Sequence, residues 1–101
     1  MDLREFQEYV RQFGRAHQWD QEPVEMRLCY LMTEVGELTQ AVLQWERHAD
    51  PQQQQAAGQE IFDVIWNAVD VANHLGLDIA QCFAEKMAIN ADRTWLDKPP
   101  G

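Results

Sequence analysis

The sequence predicts an all-α protein, a four-helix bundle completed by homo-oligomerisation. Three observations carry this. Apolar residues recur in alternating steps of 3 and 4 over two long segments, the period of a helix face. No stretch of useful length alternates apolar and polar residues as a strand would. The connections between helical segments are short, which sets neighbouring helices antiparallel. At 101 residues the chain reads as one domain over residues 1–97, with a tail at 98–101. A chain this short buries only a modest core, and self-association, as dimer or tetramer, is a common way to finish one.

The first helix rests on Leu3, Phe6, Val10 and Phe13, with Gly14 near its end. Residues 15–22, which include His17, Trp19 and Asp20, have weaker periodicity and read as a frayed helix end and loop. Pro23 opens the second helix, because its missing N–H costs nothing in a first turn. From Val24 the apolar positions are 24, 28, 31, 35, 38, 42 and 45, close to a heptad seam, and the pattern breaks after His48. Asp50-Pro51 reads as an N-cap followed by proline at the first helical position, and Gln52 to Gln55 as a solvated first turn or linker. The third helix carries Ile61, Ile65, Ala68, Ala72 and Leu75; Gly76 ends it, with Leu77 as the hydrophobic contact beyond the cap. Asp78 caps a fourth helix bearing Ile79, Cys82, Phe83 and Met87.

With 17 acidic and 8 basic residues the net charge is -9, which argues against a nucleic-acid backbone or an anionic membrane as partner. No apolar run approaches the ~18 residues of a membrane span. Met1-Asp2-Leu3-Arg4-Glu5 is charged and amphipathic, unlike a signal peptide. Cys29 and Cys82 belong to no CxxC or Cys/His cluster and read as free thiols in a reducing compartment. The expected location is the cytoplasm.

Two acidic pairs point to chemistry. Glu34-x-x-Glu37 and Glu60-x-x-Asp63 each place two carboxylates on one helix face. Each row runs one residue before an apolar row, so the pairs flank the seam and can face one another across an antiparallel hairpin. Four carboxylates so placed repel strongly unless a hard cation neutralises them, and oxygen-only ligands suit Mg²⁺ or Mn²⁺. Taken singly, such pairs are common on solvated faces; both beside a seam make a site. Lys86, Asn90 and Arg93 form a polar row on the fourth helix, a solvated face or a grip for phosphate oxygens. Trp45 ends the apolar stripe and reads as core or as a stacking surface; Trp19 lies outside any stripe and reads as a ligand or interface residue. Trp66 and Trp95 read as packing or subunit contacts, His48 and His74 as surface or interface residues.

On Glu34-Val35-Gly36-Glu37-Leu38, Glu60-Ile61-Phe62-Asp63-Val64 and Lys86-x-x-x-Asn90-x-x-Arg93, the chain resembles the MazG-like all-α nucleoside triphosphate pyrophosphatases over residues 17–95. It is most similar to the small dCTP pyrophosphatase branch, through Trp19-Asp20 and Gln44-Trp45. The resemblance implies Mg²⁺ on Glu34, Glu37, Glu60 and Asp63, with Lys86 and Asn90 on the phosphates or sugar. It implies Trp19 and Trp45 around the base, with His17 nearby, and conversion of a dCTP-like or modified pyrimidine nucleotide to monophosphate and pyrophosphate in nucleotide-pool house-cleaning. It also implies a dimer or dimer of dimers with sites built between subunits. The chain departs from the pattern at Thr33 and Gln59, where glutamate is frequent, and at Asn67, a substrate-side position where the dCTP branch often has tyrosine. Rival readings are a phosphoribosyl-ATP pyrophosphohydrolase and a non-enzymatic helical interaction module. A di-iron bundle is excluded, since none of the three histidines has a glutamate three residues before it.

Overall fold

The computed structural model describes residues 1–94; Trp95 and the expected tail at 98–101 lie outside the described residues. Four helices, α1 (Leu3–Ala16), α2 (Val24–His48), α3 (Pro51–His74) and α4 (Ile79–Asp92), are joined by short connections, with one 3-10 turn at Trp19–Gln21. There is no strand among the described residues, and none of these helices is long and apolar enough to cross a membrane.

Local chemistry explains each boundary. Asp2 caps α1 in a reciprocal box with Glu5. Where a loop was expected, Gln18 takes a left-handed conformation (φ 63°) and the chain winds a 3-10 turn that carries Trp19. Pro23 is the cap residue itself, extended at ψ 149°, and α2 starts one residue later. Asp50 accepts a hydrogen bond from the Gln52 N–H, Pro51 occupies the first helical position, and Gln52 to Gln55 are helical. α3 closes with a left-handed Gly76 (φ 69°): the Leu77 N–H donates to the Ala72 carbonyl and the Gly76 N–H to that of Asn73. Asp78 then accepts from the Ala80 and Gln81 N–H groups, a cap that contributes about 1 kcal/mol.

α2 and α3 form a long antiparallel hairpin; α1 packs across α3 and α4. The small buried core (Val10, Val69, Ala72, Ile79) lies at that crossing, with Phe6 and Trp66 packed on it. Gln7 fastens it. Its buried amide donates to the Asn73 side chain (2.9 Å) and the Leu77 carbonyl (2.7 Å) and accepts from the Ile79 N–H (3.0 Å).

The hairpin's facing rows differ from those expected. On α2 the less exposed positions include 24, 27, 31, 34, 38, 41 and 45, and on α3 they include 53, 56, 60, 63, 67, 70 and 74. Both sets step by 3 and 4, but they contain the polar rows. Leu28, Val35, Val42, Ile61 and Ile65, expected in the seam, are 37% to 48% exposed. The acidic pairs therefore do not both flank the contact. Glu34, Glu60 and Asp63 are turned into it, and Glu37 stays on its exposed rim. Within one chain the four helices do not close into a bundle around a common core: α4 has α1 as its main neighbour, and apolar rows of α2 and α3 face outward.

Candidate metal centre

Glu34 and Glu37 sit one turn apart on α2, and Glu60 comes from the opposite strand of the hairpin. One carboxylate oxygen of each lies within 4.8 Å of the other two. Asp63, one turn beyond Glu60, is half-buried and adds its charge to the group. Glu34 Oε2 and Glu60 Oε2 are both shut from solvent with no hydrogen-bond partner. Burial pushes the Glu34 carboxyl up to about 7, helped by a carboxyl–carboxyl hydrogen bond with Glu60 and by the charges of Glu37 and Asp63. Closely set oxygens, orphaned acceptors and a raised pKa are what a hard divalent cation relieves, and one turn of each helix supplies carboxylates for it.

A consequence for stability follows. Unfolded glutamate titrates near 4.5, so between that pH and about 7 the folded state holds a proton that the unfolded state has released. Stability from this group is present below about 4.5 and is lost as pH rises through about 7. Solvent at this half-buried position limits the loss to on the order of 1 kcal/mol. In EDTA, melting from pH 5 to pH 8 is expected to show wild type losing stability relative to Glu34→Gln, and saturating Mg²⁺ should abolish the difference in slope. Parallel pH profiles without metal would refute this.

Two of the cavities that the carboxylates border have aromatic walls. One, of about 260 Å³, is lined by Trp19, Glu22, Arg27, Tyr30, Glu34, Trp66 and Asn67. Asn67 donates to the Asp63 carbonyl (2.8 Å), leaving its oxygen available to accept. The other, of about 340 Å³, runs along Tyr9, Phe13, Trp19, Phe62 and Trp66 to Asp63. Trp19 is positioned by a stack: His17 lies between Phe13 (4.4 Å) and Trp19 (4.8 Å), and its Nδ1 bonds the Phe13 carbonyl. Trp66 meets Phe6, Tyr9 and Phe13 edge-on, at 5.3 to 6.1 Å.

Of the residues picked out in the sequence, the four carboxylates, Trp19, His17 and Asn67 thus gather at one region. Trp45 does not join them within a chain. It lies eighteen positions after Arg27 on α2, roughly 27 Å along the axis, whereas Trp19 stands 5.6 Å from the Arg27 guanidinium. Lys86 and Asn90 are on α4, whose main packing partner is α1, whereas Arg93, expected on the same helix, is the extended residue just past its end. Tyr30, Arg27 and Glu22 were not singled out. Arg27 had a legible signal: a cation seven residues before Glu34, on the same face, in an acidic chain. Trp66, expected as packing, both packs on the core and walls the two cavities. No protein-family model matches the chain, and a search of curated proteins finds no match.

Proposed function

We propose that this protein is a Mg²⁺-dependent nucleoside triphosphate pyrophosphohydrolase, acting on dCTP-like or modified pyrimidine nucleotides and working as a homo-oligomer. The observation that carries the reading is that Glu34 and Glu60 each bury one unpartnered carboxylate oxygen, beside the charges of Glu37 and Asp63. It is supported by the three-part motif of acidic pair, acidic pair and Lys86-x-x-x-Asn90-x-x-Arg93. Glu34, Glu37, Glu60 and Asp63 would hold Mg²⁺, with Mn²⁺ as a substitute. Bound there, the cation would offset the charge of carboxylates and triphosphate together and favour attack by water on the anhydride.

The chain's own groups supply the rest. Glu37, on the exposed rim, is open to an incoming water and would take its proton. Trp19, Trp66 and Tyr30 offer flat apolar walls for a base, a contact contributing ~1–3 kcal/mol per base. Lys86, Asn90, Arg93 and Trp45 line neither aromatic cavity in a single chain, so a second copy, docked on the outward apolar rows, would bring them to the site. Water adds across one anhydride bond, giving monophosphate and pyrophosphate.

The test is incubation with Mg²⁺ and a panel of canonical and modified nucleotides, with products separated by ion exchange. Monophosphate plus pyrophosphate are expected, absent with EDTA and reduced at least ~10²-fold in Glu37→Gln and Asp63→Asn of unchanged helicity. Full activity in either variant removes the metal assignment. Cleavage of phosphoribosyl-ATP alone would shift the substrate, and no cleavage at all would favour an interaction module.

A further inference from the structure

Arg27 is a buried cation that the proposed chemistry does not use. It is 5% exposed and bridges three elements. Its Nη2 donates to Glu22 Oε2 (2.7 Å), just after the 3-10 turn, and its Nη1 to Asp70 Oδ2 (3.2 Å) on α3. Its guanidinium lies 4.6 Å from the Tyr30 ring centre and 5.6 Å from that of Trp19. Asp70 is 4% exposed; Gly14 of α1 and His74 are its other close neighbours.

The position of this pair along the hairpin matters. Arg27 precedes Glu34 by seven residues on one face of α2, and Asp70 follows Asp63 by seven on one face of α3. In an antiparallel hairpin, pairing Arg27 with Asp70 brings Glu34 level with Asp63, and Glu37 level with Glu60. The two-residue turn at Ala49–Asp50 anchors the alignment at one end of the hairpin, and the Arg27–Asp70 pair holds it toward the other. Leu31, Leu38, Ala56, Ala57, Val64 and Val71 are apolar and offer only non-directional contacts across the seam. The carboxylates repel one another and oppose the alignment while no cation is bound. An attractive buried ion pair is the contact that a slip of one turn, about 5.4 Å, destroys.

We propose that Arg27 is a positioning residue: paired with Asp70, it fixes the helix register at which the acidic pairs of α2 and α3 converge on one cation. The inference rests on the metal reading above, and its register half can be tested without metal. The informative variant is the double substitution Arg27→Met with Asp70→Leu. Replacing a buried pair by apolar side chains is often neutral or stabilising, so folding is expected to survive while register choice is lost.

Two measurements decide it. In a Cys29→Ser, Cys82→Ser background, Gln44→Cys with Gln53→Cys probes native register, because these positions line the same cavity as Glu37 and Glu60. Gln44→Cys with Ala57→Cys probes a one-turn slip. Oxidation should link only the native pair when Arg27 and Asp70 are present, and both pairs in the double variant. Separately, Mn²⁺ affinity by calorimetry, at a temperature where circular dichroism shows every protein folded, should fall about 10- to 100-fold in the double variant with Tm held or raised. Asp70→Asn, which keeps the side-chain shape, should weaken Mn²⁺ binding in the same direction. Cross-linking that stays selective in the double variant, or Mn²⁺ affinity that stays unchanged, overturns the positioning role. Selective cross-linking in the native protein together with no Mn²⁺ binding to it would instead overturn the metal reading.

Discussion

Glu34→Gln is expected to stabilise the metal-free protein at pH 8 and to abolish its Mg²⁺-dependent turnover. The two effects have one cause. At pH 8 the Glu34 carboxylate is ionised against Glu60, Glu37 and Asp63, in a position that burial already makes unfavourable for charge. A neutral amide of the same shape removes that repulsion and can donate to the orphaned Glu60 oxygen. A gain of about 1 kcal/mol corresponds to ~4–8 °C in Tm for a domain of this size. The same change deletes a charged ligand, and turnover should fall at least ~10²-fold. Differential scanning calorimetry in EDTA and the nucleotide assay give the two numbers. A variant that melts lower than wild type without metal, yet still hydrolyses nucleotide, would contradict the assignment of Glu34 on both counts.

The second large effect concerns the outward apolar rows. Val35 on α2 and Ile65 on α3 are both substantially exposed within a chain. If a second copy covers both, Val35→Lys with Ile65→Lys removes two buried side chains per chain and buries two charges. The apolar part alone amounts to about 3–6 kcal/mol, or ~10²–10⁴-fold in the dissociation constant. Sedimentation should show wild type larger than one chain and the double variant as a monomer. Nucleotide turnover should fall with it, because Trp45 and the Lys86 row would no longer reach the carboxylates. Wild type sedimenting as a single chain would end the oligomer reading.

The same rows show what can and cannot be read from the chain. Element ends were legible because their causes are local. Asp50-Pro51 and Gly76-Leu77-Asp78 act on backbone groups within a few residues. The all-helical class was legible from period alone. Which row turns inward was not. Row 27, 34, 41 and row 28, 35, 42 are one residue apart, so their faces differ by about 100° around the helix. An apolar row shows that something must cover it, without saying whether the cover is the same chain or another. The acidic pairs were found because each repeats within one turn. Arg27 with Asp70, 43 residues apart, and Gln7 with Ile79, 72 apart, are long-range polar contacts that no local period announces.

Gln7 also bears on what holds α4 in place. The resemblance covers residues 17–95, and none of its motif residues lies on α1. Yet the turn between α3 and α4 is tied to α1 by one amide that both donates and accepts across it. Cut away the first sixteen residues and every acidic and basic motif position survives on paper, while the Leu77 carbonyl and the Ile79 N–H lose their mate and α4 loses its bearing. The length of chain that spells the chemistry and the length that holds its parts at fixed angles are two different spans, and the second reaches back into α1.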